Sequence, residues 1–249
     1  MDMADNYLEK RYEEVFGAGA ARRTVARHNT PSLNTLLVRN RTIRRYRQDF
    51  VVTADQLRII VEVNAKVASA FNRQALRFRI VTEDNADVHG ALASGSSCIW
   101  EGRTRLAAEA DSDGDAGHLS KVEALRKILF REQMRPESAR AFIIVYTSVP
   151  EDRYIDIDLG ISLQSMALKA TELGLNCLIK GNIDREKLRE LFSGLVPESG
   201  TLEPLAVLCI GKAAESVFLK PSTSSQDLTP YTKDGVHYVP KLQTDDLII

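Results

Sequence analysis

Cysteines and long apolar runs are both scarce in this sequence. The three cysteines, Cys98, Cys177 and Cys209, form no Cys-x-x-Cys pair, which argues against a disulfide-stapled domain. The longest apolar runs, Ala141–Tyr146 and Leu205–Ile210, fall far short of the roughly 20 residues that span a bilayer. The start, MDMADNYLEKRYEE, is polar and acidic, so we expect no signal peptide. These features predict a globular protein of the cytoplasm.

Net charge is also nearly absent, since 33 Lys and Arg stand against 34 Asp and Glu. This balance argues against a protein that binds nucleic acid over its whole surface. The charge is unevenly distributed, however, because no acidic residue occurs between Val15 and Gln48. That stretch holds eight arginines: Arg22, Arg23, Arg27, Arg39, Arg41, Arg44, Arg45 and Arg47. We expect it to attract phosphates or another anionic surface.

The pattern of residues along the chain predicts two parts, an N-terminal appendage and a main domain. Residues 1–36 have a helical spacing that Gly17 and Gly19 interrupt, and we predict an N-terminal helical appendage there, with a second short helix starting near Ser32. Residues 37–249 are long enough to bury a core and form the main domain. Within it, helices alternate loosely with strands, which predicts an α+β fold with a mixed central sheet flanked by helices.

Local signals place several of these elements. Thr53 and Gln56 form a capping box before one helix, and Ser120 and Glu123 form another. Gly174 is in the position that ends a helix through Leu159–Leu173, and Asp184 can cap the next helix. Alternating or apolar residues predict strands from Leu76, at Phe142–Tyr146, at Cys177–Ile179 and at Leu205–Ile210.

The common catalytic patterns are missing. Gly17-Ala-Gly19 lacks the third glycine of a dinucleotide-binding loop, and Asp111, Asp113 and Asp115 lack the glycine and glutamate of a calcium loop. No nucleophile elbow, phosphate-binding P-loop or zinc-protease motif occurs. The four histidines have no ligand spacing, so we predict no metal site. We also expect that no side chain of this protein acts as a catalytic acid or base.

Three short segments remain as candidates for a site. Arg39–Arg45 is dense in arginine and suits a phosphate or another delocalised anion. Ser69–Gln74 places small and amide residues between a helix and a strand, where amides can hydrogen-bond a polar heterocycle. Leu178–Gly181 ends a strand at a glycine, where backbone N–H groups can approach a planar ligand.

The order of these segments resembles that of the nitroreductase family of flavin enzymes. The matching pieces are Asn40–Arg44, Val67–Gln74, Asp158-Leu-Gly160 with Gln164 and Leu168 up to Gly174-Leu-Asn176, Lys180-Gly181, Val207–Gly211 and Lys241. They cover residues 37–82, 141–213 and the tail, but not 1–36 or 83–140. The family's first arginine is replaced by Asn40, for which Arg39 or Arg45 could substitute, and its usual proline by Ala68.

The resemblance implies a three-layer fold and an intertwined homodimer that binds FMN at its interface. Arg41 and Thr42 would hold the phosphate side together with Lys241, and Arg44 would face N1 and the C2 carbonyl of the flavin and stabilise charge there. Ala68, Ser69, Ala70 and Asn72 would come from the partner subunit, and Gln74 also belongs to the cofactor-binding set. Leu178, Ile179, Lys180 and Gly181 would lie along the ring, with backbone N–H groups near N5 and O4.

The activity implied is ping-pong hydride transfer from NAD(P)H through FMN to a nitroaromatic, quinone or similar electron-poor acceptor. Relatives with this fold also dehalogenate or fragment a flavin, and a flavin protein without turnover is a further alternative. An alternative of another class is an arginine-rich module that binds nucleic acid or another anionic partner. Binding of nucleic acid through base stacking has little support, because Tyr46 is the one aromatic residue among the arginines of 22–47.

Overall fold

The computed structural model describes residues 31–83, 115–193 and 202–249. The predicted first helix of the appendage, Cys98 and most of the loop at 111–115 lie outside these ranges. The described helices are α1 (Leu33–Arg39), α2 (Ala54–Val61), α3 (Asp115–Phe130), α4 (Arg153–Glu172) and α5 (Arg185–Leu191). The described strands are β1 (Leu76–Val81), β2 (Ala141–Thr147), β3 (Asn176–Lys180), β4 (Glu203–Gly211), β5 (Ser216–Ser222), β6 (Tyr231–Lys233) and β7 (Val236–Leu242).

The central sheet has four antiparallel strands in the order β1-β2-β4-β3. Its middle strands, β2 and β4, are buried along almost their whole length, as their apolar sequences require. At the β3 edge, the segment 41–46 joins the sheet through a parallel bridge between Thr42 and Cys177. The arginine-rich segment is therefore attached directly to the edge of the sheet.

Helices cover both faces of this sheet. On one face, Leu125, Leu129 and Leu188 of α3 and α5 pack against alternate residues of β2 and β4, such as Phe142 and Val207. On the other face, α2 and α4 pack through Leu57, Ile60, Leu163, Met166 and Ala170. The result is three layers, which confirms the predicted α+β class. The structure contains one copy of the chain, so the homodimer stays a prediction.

The observed helix ends can be compared with the capping residues predicted from the sequence. Thr53 and Gln56 form the predicted capping box of α2, and Asp184 accepts a hydrogen bond from the Lys187 N–H at the start of α5. Gly174 ends α4 with φ of 75°, and the Leu175 N–H donates to the Ala170 carbonyl at 2.8 Å. The capping box at Ser120 is wrong, because α3 already begins at Asp115.

A second sheet follows the central one in the chain, in the order β5-β7-β6. The strands β5 and β7 are parallel, and β6 and β7 form a hairpin around Asp234 and Gly235, which both have positive φ. The sequence patterns did not predict this sheet. In the part of the chain that the structure describes, no helix combines the length and the apolar character needed to cross a membrane.

Candidate functional site

The first cavity of interest lies between the segment 40–46, β3, α4 and the second sheet, and we call it the arginine pocket. Its volume is about 310 Å³. It brings together five residues predicted as cofactor ligands, together with the motif residue Gln164. The lining is Asn40, Arg41, Thr42, Arg44, Gln164, Ala167, Cys177, Ile179, Val217, Pro230, His237, Val239 and Lys241. Positive charge from two distant parts of the chain therefore converges on one cavity.

Tyr46 and Glu215 hold the arginine segment in place. The buried Tyr46 hydroxyl donates to the Ile43 carbonyl at 2.7 Å, and burial raises the pKa of this phenol well above its usual value. One oxygen of the Glu215 carboxylate accepts from the backbone N–H of Arg44 at 2.5 Å and of Arg45 at 3.2 Å. Because Tyr46 and Glu215 hold the backbone of the segment by hydrogen bonds, they fix the positions from which the arginine side chains extend.

Arg41 is the most constrained of the pocket's cations. Its guanidinium donates to the Leu37 carbonyl at 2.5 Å, while its buried Nε has no hydrogen-bond partner among the described residues. Burial lowers the pKa of this arginine, since desolvation disfavours its charged form. Among the described residues, no carboxylate lines the pocket to compensate for Arg41, Arg44 and Lys241. Such a site is electrostatically suited to an anion carrying more than one charge.

The edge of β3 contributes an open backbone position to the pocket. The Cys177 carbonyl accepts from the Ile43 N–H at 3.0 Å, so the polar backbone groups of Cys177 face the outer edge. Because these groups alternate along a strand, those of Ile179 face the same edge and those of Leu178 and Lys180 face β4. The Ile179 side chain is 44% exposed and lines the pocket. Ile179 is therefore better placed than Lys180 to present a backbone N–H to a planar ligand.

The other residues of the Leu178–Gly181 segment point elsewhere. Leu178 packs into the core beneath α3 and α5, and Lys180 places its Nζ 5.0 Å from the centre of the Phe130 ring on that same side. Gly181 follows the strand, with open space where a Cβ would be. None of these three residues lines the arginine pocket, and the backbone polar groups of Leu178 and Lys180 are directed towards β4.

The second cavity lies on another side of α4, and we call it the loop pocket. It has a volume of about 520 Å³ and contains the predicted ligands Ala68, Ser69 and Gln74. Its full lining is Val61, Glu62, Asn64, Ala65, Val67, Ala68, Ser69, Arg73, Gln74, Ala75, Leu76, Arg77, Phe78, Asp158 and Ser162. No residue lines both pockets. Ser162 and Gln164 are two positions apart on α4, about 200° around a helix, so the two cavities open in different directions.

The loop from Ser69 to Gln74 has a strained backbone. Phe71, Asn72 and Gln74 have φ values of 53°, 52° and 46°, which is the left-handed region that residues other than glycine rarely adopt. Such positions persist when surrounding contacts enforce them, and they are concentrated at functional sites. Contacts with the rest of the protein must therefore hold the loop in this conformation, because positive φ values cost free energy at residues other than glycine.

Asp158 supplies one of the contacts that enforce this conformation. Its Oδ1 accepts from the Ala70 N–H at 2.8 Å, and its buried Oδ2 has no hydrogen-bond partner among the described residues. Ala70 and Asn72, both predicted ligands, lie in this turn but do not line the loop pocket. Asp158 belongs to a predicted motif, but its contact with Ala70, 88 positions away along the chain, was not predicted.

Comparison with known proteins identifies the fold and the family of this chain. The sequence model of the nitroreductase family matches residues 37–212. A candidate nitroreductase from Desulfovibrio desulfuricans, solved in complex with FMN, is 19% identical with a TM-score of 0.52, over 80% of this chain and 93% of that one. A nitroreductase family protein from Streptococcus pneumoniae is 15% identical with a TM-score of 0.51, over 77% and 94%.

A third structure, a candidate NADH dehydrogenase/NAD(P)H nitroreductase from Bacteroides thetaiotaomicron, is 16% identical with a TM-score of 0.50, over 77% of this chain and 90% of that one. A comparison with curated proteins gave no match. At these identities the solved structures establish the fold, while the family model spans both the arginine segment and the strained loop. The chain belongs to the nitroreductase family.

Proposed function

We propose that this protein is an FMN-dependent oxidoreductase that takes hydride from NADH or NADPH and passes electrons to a small electron-poor acceptor. The observation that carries the proposal is the arginine pocket, where Arg41, Arg44 and Lys241 converge beside the outer edge of β3 and the described lining holds no carboxylate. FMN-bound and NAD(P)H-linked relatives with this fold add support. FMN, when bound, supplies the group that accepts and returns hydride.

The pocket suits the phosphate of FMN in charge and in donors. A phosphate monoester carries about −1.5 to −2 charge at neutral pH, with several acceptor oxygens. Arg41 supplies a guanidinium whose Nε has no hydrogen-bond partner among the described residues, Thr42 supplies a hydroxyl, and Lys241 adds an ammonium group. Binding a dianion here would relieve the cost of burying the Arg41 guanidinium among other cations.

Arg44 and Ile179 are proposed to act on the ring rather than on the phosphate. A guanidinium held on a fixed backbone can stabilise negative charge that develops on a nearby heterocycle, an effect of roughly 3 kcal/mol for one preorganised donor. Ile179 offers an apolar side chain to a ring face and an outward backbone N–H to a ring edge. No side-chain acid is required of this chain in such a site, since the cofactor carries the chemistry.

The two pockets support a site shared between two subunits. Ala68, Ser69 and Gln74 line the loop pocket, whereas the phosphate ligands line the arginine pocket on another side of α4. The two linings have no residue in common, so the two sets of predicted ligands face different cavities within one chain. We therefore propose a homodimer in which the arginine pocket of one subunit faces the loop pocket of its partner.

The first test is the visible spectrum of the purified protein, with and without added FMN, followed by anaerobic addition of NADH or NADPH. We expect a bound-flavin spectrum that bleaches with at least one of the two donors. Nitroaromatic, quinone and halogenated acceptors then identify the substrate class. A protein that neither carries nor takes up FMN would refute the proposal, and salt-sensitive binding to RNA or DNA would then favour an arginine-rich binding module.

Matched arginine variants locate the cofactor. Arg41→Ala and Arg44→Ala remove cations of the arginine pocket, while Arg45→Ala removes an adjacent cation that does not line it. Because a lost charge-assisted hydrogen bond weakens binding about tenfold or more, we expect the first two variants to bind FMN at least tenfold more weakly. Arg45→Ala should bind it almost normally. Equal affinities in all three variants would contradict the assignment.

A further inference from the structure

One face of β7 adds a titratable group to the arginine pocket. His237, Val239 and Lys241 alternate along the strand, and all three line the cavity. Lys241 is a predicted phosphate ligand, whereas His237 was not assigned a role by any sequence motif. The same strand face therefore presents an ammonium group and an imidazole to one space.

The imidazole is positioned with one nitrogen occupied and one available. Nδ1 of His237 lies 3.2 Å from the Thr232 hydroxyl of β6, across the hairpin. This contact orients the ring and leaves Nε2 to interact with a ligand. Val217, the partner of His237 on β5, is apolar and offers it no competing hydrogen bond.

The groups that face His237 across the pocket are cationic or neutral. Arg41 and Arg44 project from the segment 40–46, Gln164 from α4 and Lys241 from β7 itself. Cys177 of β3 is a buried thiol, and burial raises its pKa, so it remains neutral. The Glu215 carboxylate, which precedes β5, accepts hydrogen bonds from the backbone of Arg44 and Arg45. The described lining thus offers no anionic partner to an imidazolium at this position until an anion binds.

We propose that His237 is a further ligand of the flavin phosphate, and that its protonation makes the preference of the pocket for FMN over riboflavin depend on pH. The inference rests on the proposed function. Histidine is the side chain that ordinarily changes charge between about pH 5 and 8. Protonated His237 adds a charge-assisted donor to a dianion, while neutral His237 adds at most a weaker one.

Riboflavin separates this effect from every other contact, because it has the same ring without the phosphate. Because an imidazolium is a stronger partner for a dianion than a neutral imidazole is, FMN should bind more tightly relative to riboflavin as pH falls from about 8.5 to 6.5. Below about pH 6 the phosphate itself takes up a proton, so the gain should level off there. The ratio of the riboflavin Kd to the FMN Kd is therefore the quantity to follow.

The experiment titrates the full-length apoprotein with FMN and with riboflavin, followed by flavin fluorescence, over that pH range. In the wild-type protein we expect the Kd ratio to rise about fivefold to tenfold towards low pH. In His237→Gln the Kd ratio should be independent of pH and should stay near the wild-type value at high pH. In His237→Lys the Kd ratio should also be independent of pH but should stay near the wild-type value at low pH, since lysine keeps its charge throughout this range. Circular dichroism spectra that match that of the wild type show that both variants have folded.

Two results would overturn the inference while leaving the proposed function intact. One is a wild-type Kd ratio that does not change with pH although FMN binds. The other is a His237→Gln variant that keeps the wild-type slope. Failure of the wild-type protein to bind FMN at any pH would instead overturn the proposed function, and this inference with it.

Discussion

Tyr46 shows how one buried side chain positions the whole arginine segment. Its hydroxyl is hydrogen-bonded to Ile43, three residues before it, and its ring packs over Gly211 at the end of β4. A Cβ built on Gly211 would lie 2.6 Å from Cδ1 of that ring. Glycine is therefore needed at position 211 for steric reasons, and the arginine pocket depends on it indirectly.

The residue-scale prediction concerns this contact. We expect Gly211→Ala to lower the free energy of unfolding by about 1–3 kcal/mol, because a stiff aromatic ring and a strand backbone must separate. Urea unfolding followed by circular dichroism measures the change. FMN affinity should fall as well, since the displaced ring supports the backbone of Arg44.

Gly160→Ala is the matched control for this substitution. Gly160 lies within α4 with open space where a Cβ would be, so alanine there should leave stability unchanged or raise it by about 0.5–1 kcal/mol. A Gly211→Ala protein as stable as the wild type would show that the Tyr46 ring can move at little cost.

At the scale of elements, the start of α4 and the strained loop are joined through Asp152. Its carboxylate accepts from the Ile155 N–H at 2.9 Å as the helix cap, and Arg73 of the loop donates to both of its oxygens at 3.0 and 3.1 Å. The hydrogen bonds from Arg73 and the helix backbone lower the pKa of Asp152 to about 2. One side chain thus caps a helix and fixes the neighbouring loop.

This arrangement predicts how stability depends on acid. Since the pKa of Asp152 is lower in the folded than in the unfolded chain, its contribution is complete above about pH 5 and is lost as pH falls towards 2. The difference in unfolding free energy between the wild type and Asp152→Ala should therefore be largest at neutral pH and should shrink in acid. Urea unfolding at several pH values between these limits measures it.

Asp156→Ala is the control for the charge alone, because Asp156 also lies in the first turn of α4 but has no hydrogen bond to Arg73. Its effect on stability should be smaller and should vary less with pH. If the Asp152→Ala difference were the same at pH 7 and in acid, the carboxylate would not be acting as a charged cap.

The elements that could be predicted from the sequence are those with local signals. The capping box at Thr53 and the glycine at position 174 each involve residues within one turn, and both predictions are confirmed. The start of α3 was missed because the pattern at Ser120 also fits a helix start, and the sequence cannot tell which of two starts is used. The parallel pairing of β5 with β7 joins distant segments, although the Asp234-Gly235 turn was a readable sign of the hairpin.

The same distinction applies to the candidate site. Arg41, Thr42, Arg44 and Lys241 were predicted because their order along the chain follows a family pattern, and they line one cavity. Glu215 was not, because it contacts Arg44 from 171 positions away and belongs to no motif. His237 could have been found only by first assigning β7, which places it on the same face as Lys241.

At the scale of the whole molecule, the proposed homodimer rests on the two pockets. Each contains part of the predicted ligand set, and α4 separates them within one chain. In a twofold dimer, the same pair of surfaces occurs twice, so a shared site would also occur twice. This geometry makes a prediction that a site within one subunit does not make.

The prediction is complementation between two inactive variants. Arg44→Ala damages the arginine pocket, and Ala68→Trp fills the exposed edge of the loop pocket, so each homodimer should bind little FMN. In a heterodimer of the two, one shared site would carry both defects and the other would carry none. We expect heterodimers purified through two different tags to hold about half of the wild-type flavin.

The control pairs Arg44→Ala with Arg41→Ala, which leaves every site damaged and should restore no flavin binding. Equal flavin in both heterodimers, or none in either, would mean that the two pockets do not meet across a subunit interface.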